Sequence, residues 1–141
     1  MNFVGKIIEK FPPWCFTIVV GSVILWLTFG KIKVSSDSIF AFPHFDKIVH
    51  AVLLGMMFLA ITLDIVRGHR KNYKNRWING PLIWGFILAS LIGGSIELLQ
   101  PYFHRSCDLM DFIADEAGII AVWIFIPFFL EKLGYMVFLK E

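Results

Sequence analysis

Charge is scarce in this chain. Only 17% of its 141 residues are Asp, Glu, Lys or Arg, and the formal net charge is +2. No strongly charged partner is implied. There is no basic helix, zinc-finger spacing or glycine-rich phosphate loop, which argues against nucleic acid and nucleotide partners. Cysteine is nearly absent: Cys15 and Cys107 stand alone, with no C-x-x-C. No fixed-period repeat and no low-complexity stretch occurs. Neither a Ser-His-Asp order nor an H-E-x-x-H motif is present, so the commonest hydrolase signatures are missing.

Apolar residues fill the space that charge leaves. They make up 57% of the chain, with a mean hydropathy of +0.72, against about 45–50% in ordinary soluble domains. A soluble domain this short would expose too much of that surface, so the membrane is the better solvent. A spanning helix needs about 20 mostly apolar residues. Four runs qualify: roughly 13–30, 47–66, 81–100 and 109–130. Pro81 suits a first helical turn, and Pro101 favours ending the third run at Gln100. Lys6 and Lys10 before the first run resemble a signal peptide. The run is long and no small-residue cleavage site follows closely, so a retained helix is expected. Residues 1–11 suit a short interfacial helix. The expected fold is all-α: one domain over 1–141, a four-transmembrane-helix bundle in the cell membrane.

Basic residues orient the bundle. Lys6, Lys10, Arg67, Arg70, Lys71, Lys74, Arg76, Lys132 and Lys140 fall on one side; Lys31, Lys33, Lys47 and Arg105 fall on the other. The richer side is expected to be cytoplasmic, with both termini inside. Trp14, Tyr73, Trp77 and Tyr135 suit an aromatic belt there. Cys15 and Cys107 would then lie about 30 Å apart, too far for a disulfide.

Polar groups are concentrated at the opposite face. "PHFDKIVH" opens the second span, and "IELLQPYFHRSCDLMDFIADEAG" joins the third to the fourth. Asp46 and His50 are four residues apart, on one helical face. Gly85, Ala89 and Gly93 form a small-residue stripe that lets helices approach closely. Glu97 continues this stripe and is expected to point inward, with Gln100 beside it. Gly93 is expected to carry tighter packing than Gly55. Asp108, Asp111, Asp115 and Gly118 share a face of the fourth span, while Glu116 lies about 100° around from Asp115. Simpler roles exist for each group. Asp46, Asp108 and Asp111 suit helix caps, Glu97 and Gln100 suit interhelical hydrogen bonds, and His50 suits packing. Arg105 suits a loop charge, and Cys107 a bystander. Capping does not explain Asp115, nearly two turns into its helix. A cluster at one depth points instead to a hydrated polar pocket, with Arg105 and Lys47 available to pair with its acids.

Three motifs carry a family resemblance: "DKIVH" (46–50), "ELLQ" (97–100) and "HRSCDLMDFIADEAG" (104–118). Together they resemble the VanZ-like integral membrane proteins, over roughly 20–130. Asp46, Lys47, His50, Glu97, Gln100, Arg105, Ser106, Asp108, Asp111, Ala114 and Gly118 match that family's pattern. Asp115 departs from it, standing where the family usually has Asn. The resemblance implies a small multi-helical envelope protein associated with glycopeptide-antibiotic resistance, and supplies no reaction.

The expected ligand-binding set is Asp46, Lys47, His50, Glu97, Gln100, Arg105, Asp108, Asp111 and Asp115. Its expected ligand is a lipid headgroup, a lipid-linked cell-wall precursor or an amphiphilic antibiotic, with Lys47 and Arg105 holding anionic groups. The alternative is a membrane enzyme on such a substrate, with His50, Glu97 or Asp111 as catalytic candidates. No cofactor is required, although His50 with carboxylates would suit Mg²⁺ or Mn²⁺. A proton or ion pathway is the weakest option, because the inner halves of the spans hold few ionisable groups.

Overall fold

The computed structural model describes residues 3–30, 45–67, 71–73, 75–103 and 108–138. Five α-helices dominate it: α1 (Phe3–Ile8), α2 (Cys15–Phe29), α3 (Phe45–Val66), α4 (Gly80–Leu99) and α5 (Leu109–Leu133). A 3₁₀ turn at Gln100–Phe103 extends α4. Strands β1 (Lys71–Tyr73) and β2 (Met136–Phe138) pair in parallel. This ladder was not expected: a three-residue strand is too short to show a hydropathy period.

Three helices, α3, α4 with its 3₁₀ turn, and α5, are long and apolar enough to cross a membrane. Their bounds fall close to the runs expected from hydropathy. The first run is shorter than expected. Pro12 and Pro13 precede it, and Trp14 takes a left-handed φ of 61° at its N-cap. At 1.5 Å per residue the 15 residues of α2 reach only about 22 Å, against a hydrocarbon core of about 30 Å.

α3 is the central helix, packing against α2, α4 and α5. Small residues bring the helices together. Gly21 of α2 faces Met57, and Gly85 of α4 lies against Thr62 and Phe58. On α5, a Cβ at Gly118 would collide with the Ala51 backbone carbonyl of α3. Gly55 sits in the same contact, where a Cβ would be 3.0 Å from both the Gly118 carbonyl oxygen and Val122. The expectation that Gly55 is less crowded than Gly93 is therefore wrong. The α3–α5 approach is backbone against backbone, and a side-chain stripe on α4 gives no sign of it.

The ends of the elements gather into two groups. At one end lie α1, the start of α2, the end of α3 and the end of α5. There Asp64 accepts hydrogen bonds from the Thr17 N–H (2.9 Å) and hydroxyl (2.8 Å). The Arg67 guanidinium stands 3.3 Å from Asp64 and donates to the Pro12 carbonyl. Gly134, at φ 84°, lets α5 stop, and its N–H and that of Tyr135 satisfy the Leu130 carbonyl. Tyr135 is 0% exposed and its hydroxyl donates to the Gly5 carbonyl (2.9 Å). It is a core residue, not a member of an aromatic belt. Trp14 and Trp77 are exposed at this end, and the Tyr73 side chain lies outside the described residues.

Candidate functional site

The other end holds the first turns of α3 and α5 and the last turn of α4. The positive ends of α3 and α5 both favour carboxylates there. Asp108 is the N-cap of α5 and accepts from the Met110 N–H (2.9 Å). That bond, and then Lys47, hold its carboxyl below the usual range. Asp111 lies in the first turn of α5. Lys47, in the first turn of α3, bridges both: its Nζ is 2.7 Å from Asp111 Oδ1 and 3.0 Å from Asp108 Oδ2. Asp46 is farther, at 3.9 Å, with its side chain 57% exposed. It sits at the rim.

One turn deeper, the Gly118–Ala51 contact fixes how closely His50 and Asp115 approach. His50 precedes Ala51, and Asp115 lies three residues before Gly118. The result is His50 Nδ1 at 3.1 Å from Asp115 Oδ1. Glu97 arrives from α4 with Oε1 3.6 Å from the same nitrogen. Gln100 donates to that oxygen at 2.8 Å and holds the carboxylate in place. On the far side of the ring, Nε2 is 4.0 Å from Asp111 Oδ2. Gly93 leaves room for Asp115: a Cβ there would stand 3.2 Å from Oδ2. Asp115 is 1% exposed and Glu97 4%. Asp115 Oδ2 and Glu97 Oε2 are both buried without a hydrogen-bond partner among the described residues.

Of the expected ligand set, Lys47, His50, Glu97, Gln100, Asp108, Asp111 and Asp115 come together, and Asp46 borders them. Arg105 and Ser106 lie outside the described residues, as do His44, His69, His104 and Cys107. Of the two roles expected of Lys47, pairing with the acids is the one seen. Lys47 is engaged by two carboxylates, so it is not a free cation awaiting an anionic ligand.

Two spaces adjoin the cluster. A cavity of about 180 Å³ between α2, α3 and α4 is lined by Thr28, Asp46, His50 and Ile96, among others. A larger groove of about 820 Å³ runs between α4 and α5. Its walls include Phe86, Leu91, Leu98, Leu109 and Phe112, and its polar members include Glu97 and Asp108. Thr28 was not singled out from sequence, because it lies in an uncharged run with no partner spacing. Glu116 faces α4, as its angular offset suggested, and accepts from the Ser90 hydroxyl at 3.1 Å. No family model, curated protein or solved structure matches the chain.

Proposed function

We propose that this is a VanZ-like integral membrane protein of the cell envelope that binds an amphiphile. In this reading α2 is a short fourth span that a locally thinned bilayer accommodates, and both termini are cytoplasmic. Its ligand is a lipid, a lipid-linked wall precursor or an amphiphilic antibiotic. The supporting observation is the α4–α5 groove, apolar along its walls and lined also by Glu97 and Asp108. An acyl chain fits the walls while a polar head reaches the cluster. With Lys47 already paired, the cluster favours heads that donate hydrogen bonds or carry an amine. Amine-bearing antibiotics and hydroxyl-rich headgroups both fit that description.

A second reading is supported by the setting of His50, which faces Asp115 and Glu97 on one ring nitrogen and Asp111 on the other. It is that of a membrane enzyme in which His50 or Glu97 moves a proton on the bound head. Native mass spectrometry of protein extracted from its own membranes tests the binding proposal. The wild type is expected to retain a defined amphiphile. Gly94→Phe, which fills the groove beside Phe112, is expected to lower that retention at least tenfold. Equal retention by the two proteins would overturn the proposal.

A further inference from the structure

We infer that His50, Glu97 and Asp115 form a binding site for one divalent first-row metal ion such as Mn²⁺. This inference does not depend on the amphiphile reading. Its basis is how closely the ligand atoms gather. His50 Nδ1, a Glu97 oxygen and an Asp115 oxygen all lie within 4.8 Å of one another. Two atoms bound at about 2.1 Å to one cation, at right angles, are about 3.0 Å apart. His50 Nδ1 and Asp115 Oδ1 stand at 3.1 Å, and Glu97 Oε1 is 3.6 Å from the same nitrogen.

The second observation is the pair of buried oxygens. Asp115 Oδ2 and Glu97 Oε2 have no hydrogen-bond partner among the described residues, on side chains 1% and 5% exposed. A protonated imidazole does not resolve this. Its Nδ1 carries one proton and can complete a short hydrogen bond to only one of the two carboxylates. A divalent cation neutralises both buried carboxylates at once, with Oδ1 and Oε1 nearest Nδ1 and the unpartnered Oδ2 and Oε2 the remaining oxygens of the same two groups.

The surrounding groups fit that role. Gln100 holds Glu97 through Oε1 at 2.8 Å. Asp111 Oδ2 lies 4.0 Å from Nε2, on the side of the ring away from the two metal-binding carboxylates. A carboxylate beyond the ring is a recurrent partner of metal-binding histidines. One imidazole with carboxylates suits Mn²⁺ among the common divalent ions, and Zn²⁺ is a competitor for such a mixed set. Three protein ligands leave coordination positions open.

The test uses the full chain in detergent, stripped with EDTA and titrated with MnCl₂. Free Mn²⁺ is followed by its six-line electron paramagnetic resonance signal, and directly bound nitrogen by electron spin-echo modulation. The expected result is saturable binding of one ion per chain, with a nitrogen coupling that disappears in His50→Gln. Glu97→Gln and Asp115→Asn are each expected to weaken binding tenfold or more. Glu116→Gln, at the separate contact with Ser90, is expected to bind as the wild type does. Non-saturable binding, or saturable binding without a nitrogen coupling, in the wild type would overturn the inference whether or not the variants fold. So would unchanged affinity in Glu97→Gln and Asp115→Asn. Lipid retention is read separately, so failure of one proposal leaves the other standing.

Discussion

Gly118 sets the spacing of the polar cluster. Any Cβ at this position meets the Ala51 carbonyl, a backbone atom that cannot swing aside. Gly118→Ala is therefore expected to cost about 1–3 kcal/mol, the usual range for overpacking. It should also push Asp115 away from His50. Gly80→Ala is the matched control, since a Cβ there meets nothing within 4 Å. Thermal unfolding in detergent compares them; equal melting temperatures would show that α3 and α5 do not approach as described. The inward turn of Glu97 was legible from the stripe Gly85, Ala89 and Gly93, and that of Asp115 from its spacing to Asp111 and Gly118. That Lys47 would pair with acids of the cluster was legible from their shared depth; which acids it meets was not. Lys47 meets acids 61 and 64 positions away, and such pairs depend on how helices stack, not on any local pattern. Tyr135 was misread for the same reason, because its hydroxyl partner lies 130 positions away.

Among the elements, α2 depends on a group that belongs to another helix. Its N-cap residue, Trp14, makes no side-chain capping hydrogen bond. Asp64 of α3 takes that place, accepting from both the N–H and the hydroxyl of Thr17. A carboxylate near the C-terminus of its own helix is unfavourable, but the positive end of α2 and Arg67 offset this. Asp64→Ala is expected to destabilise the protein by about 3 kcal/mol, because it leaves a nearly buried Arg67 without its carboxylate partner. Thr17→Val, which keeps the backbone bond, should cost about 1 kcal/mol. Hydrogen exchange should show the amides at Cys15–Ile18 losing protection first in Asp64→Ala, with α4 and α5 little changed. Unaltered exchange at the start of α2 would contradict this capping role. Helix positions were readable from hydropathy and from Pro81, since long apolar runs carry their own signal. The shortening of α2 was not readable from hydropathy, because an apolar run does not register a left-handed φ such as that of Trp14.

Across the whole molecule, the two ends differ in chemistry. One collects Arg67, Arg76 and the C-terminal part of α5, and the other collects Lys47, His50 and four inward or capping carboxylates. If the first end is cytoplasmic, a cysteine at Asn75 should react with a membrane-impermeant reagent only after permeabilisation. One at Tyr102, which is 81% exposed at the other end, should react in intact cells; a background without Cys15 and Cys107 keeps the readout clean. The reverse pattern would invert the orientation. The central claim is that the groove and the polar cluster act together on one amphiphile. Photo-crosslinking in native membranes tests it most directly, with benzoylphenylalanine placed at position 98 in the groove or at position 120 on an exposed face of α5. The expected result at position 98 is one dominant adduct that is lost in Glu97→Gln. Position 120 should give only mixed bulk-lipid adducts, indifferent to Glu97. The same mixed lipids at both positions, unchanged by Glu97→Gln, would contradict a shared site.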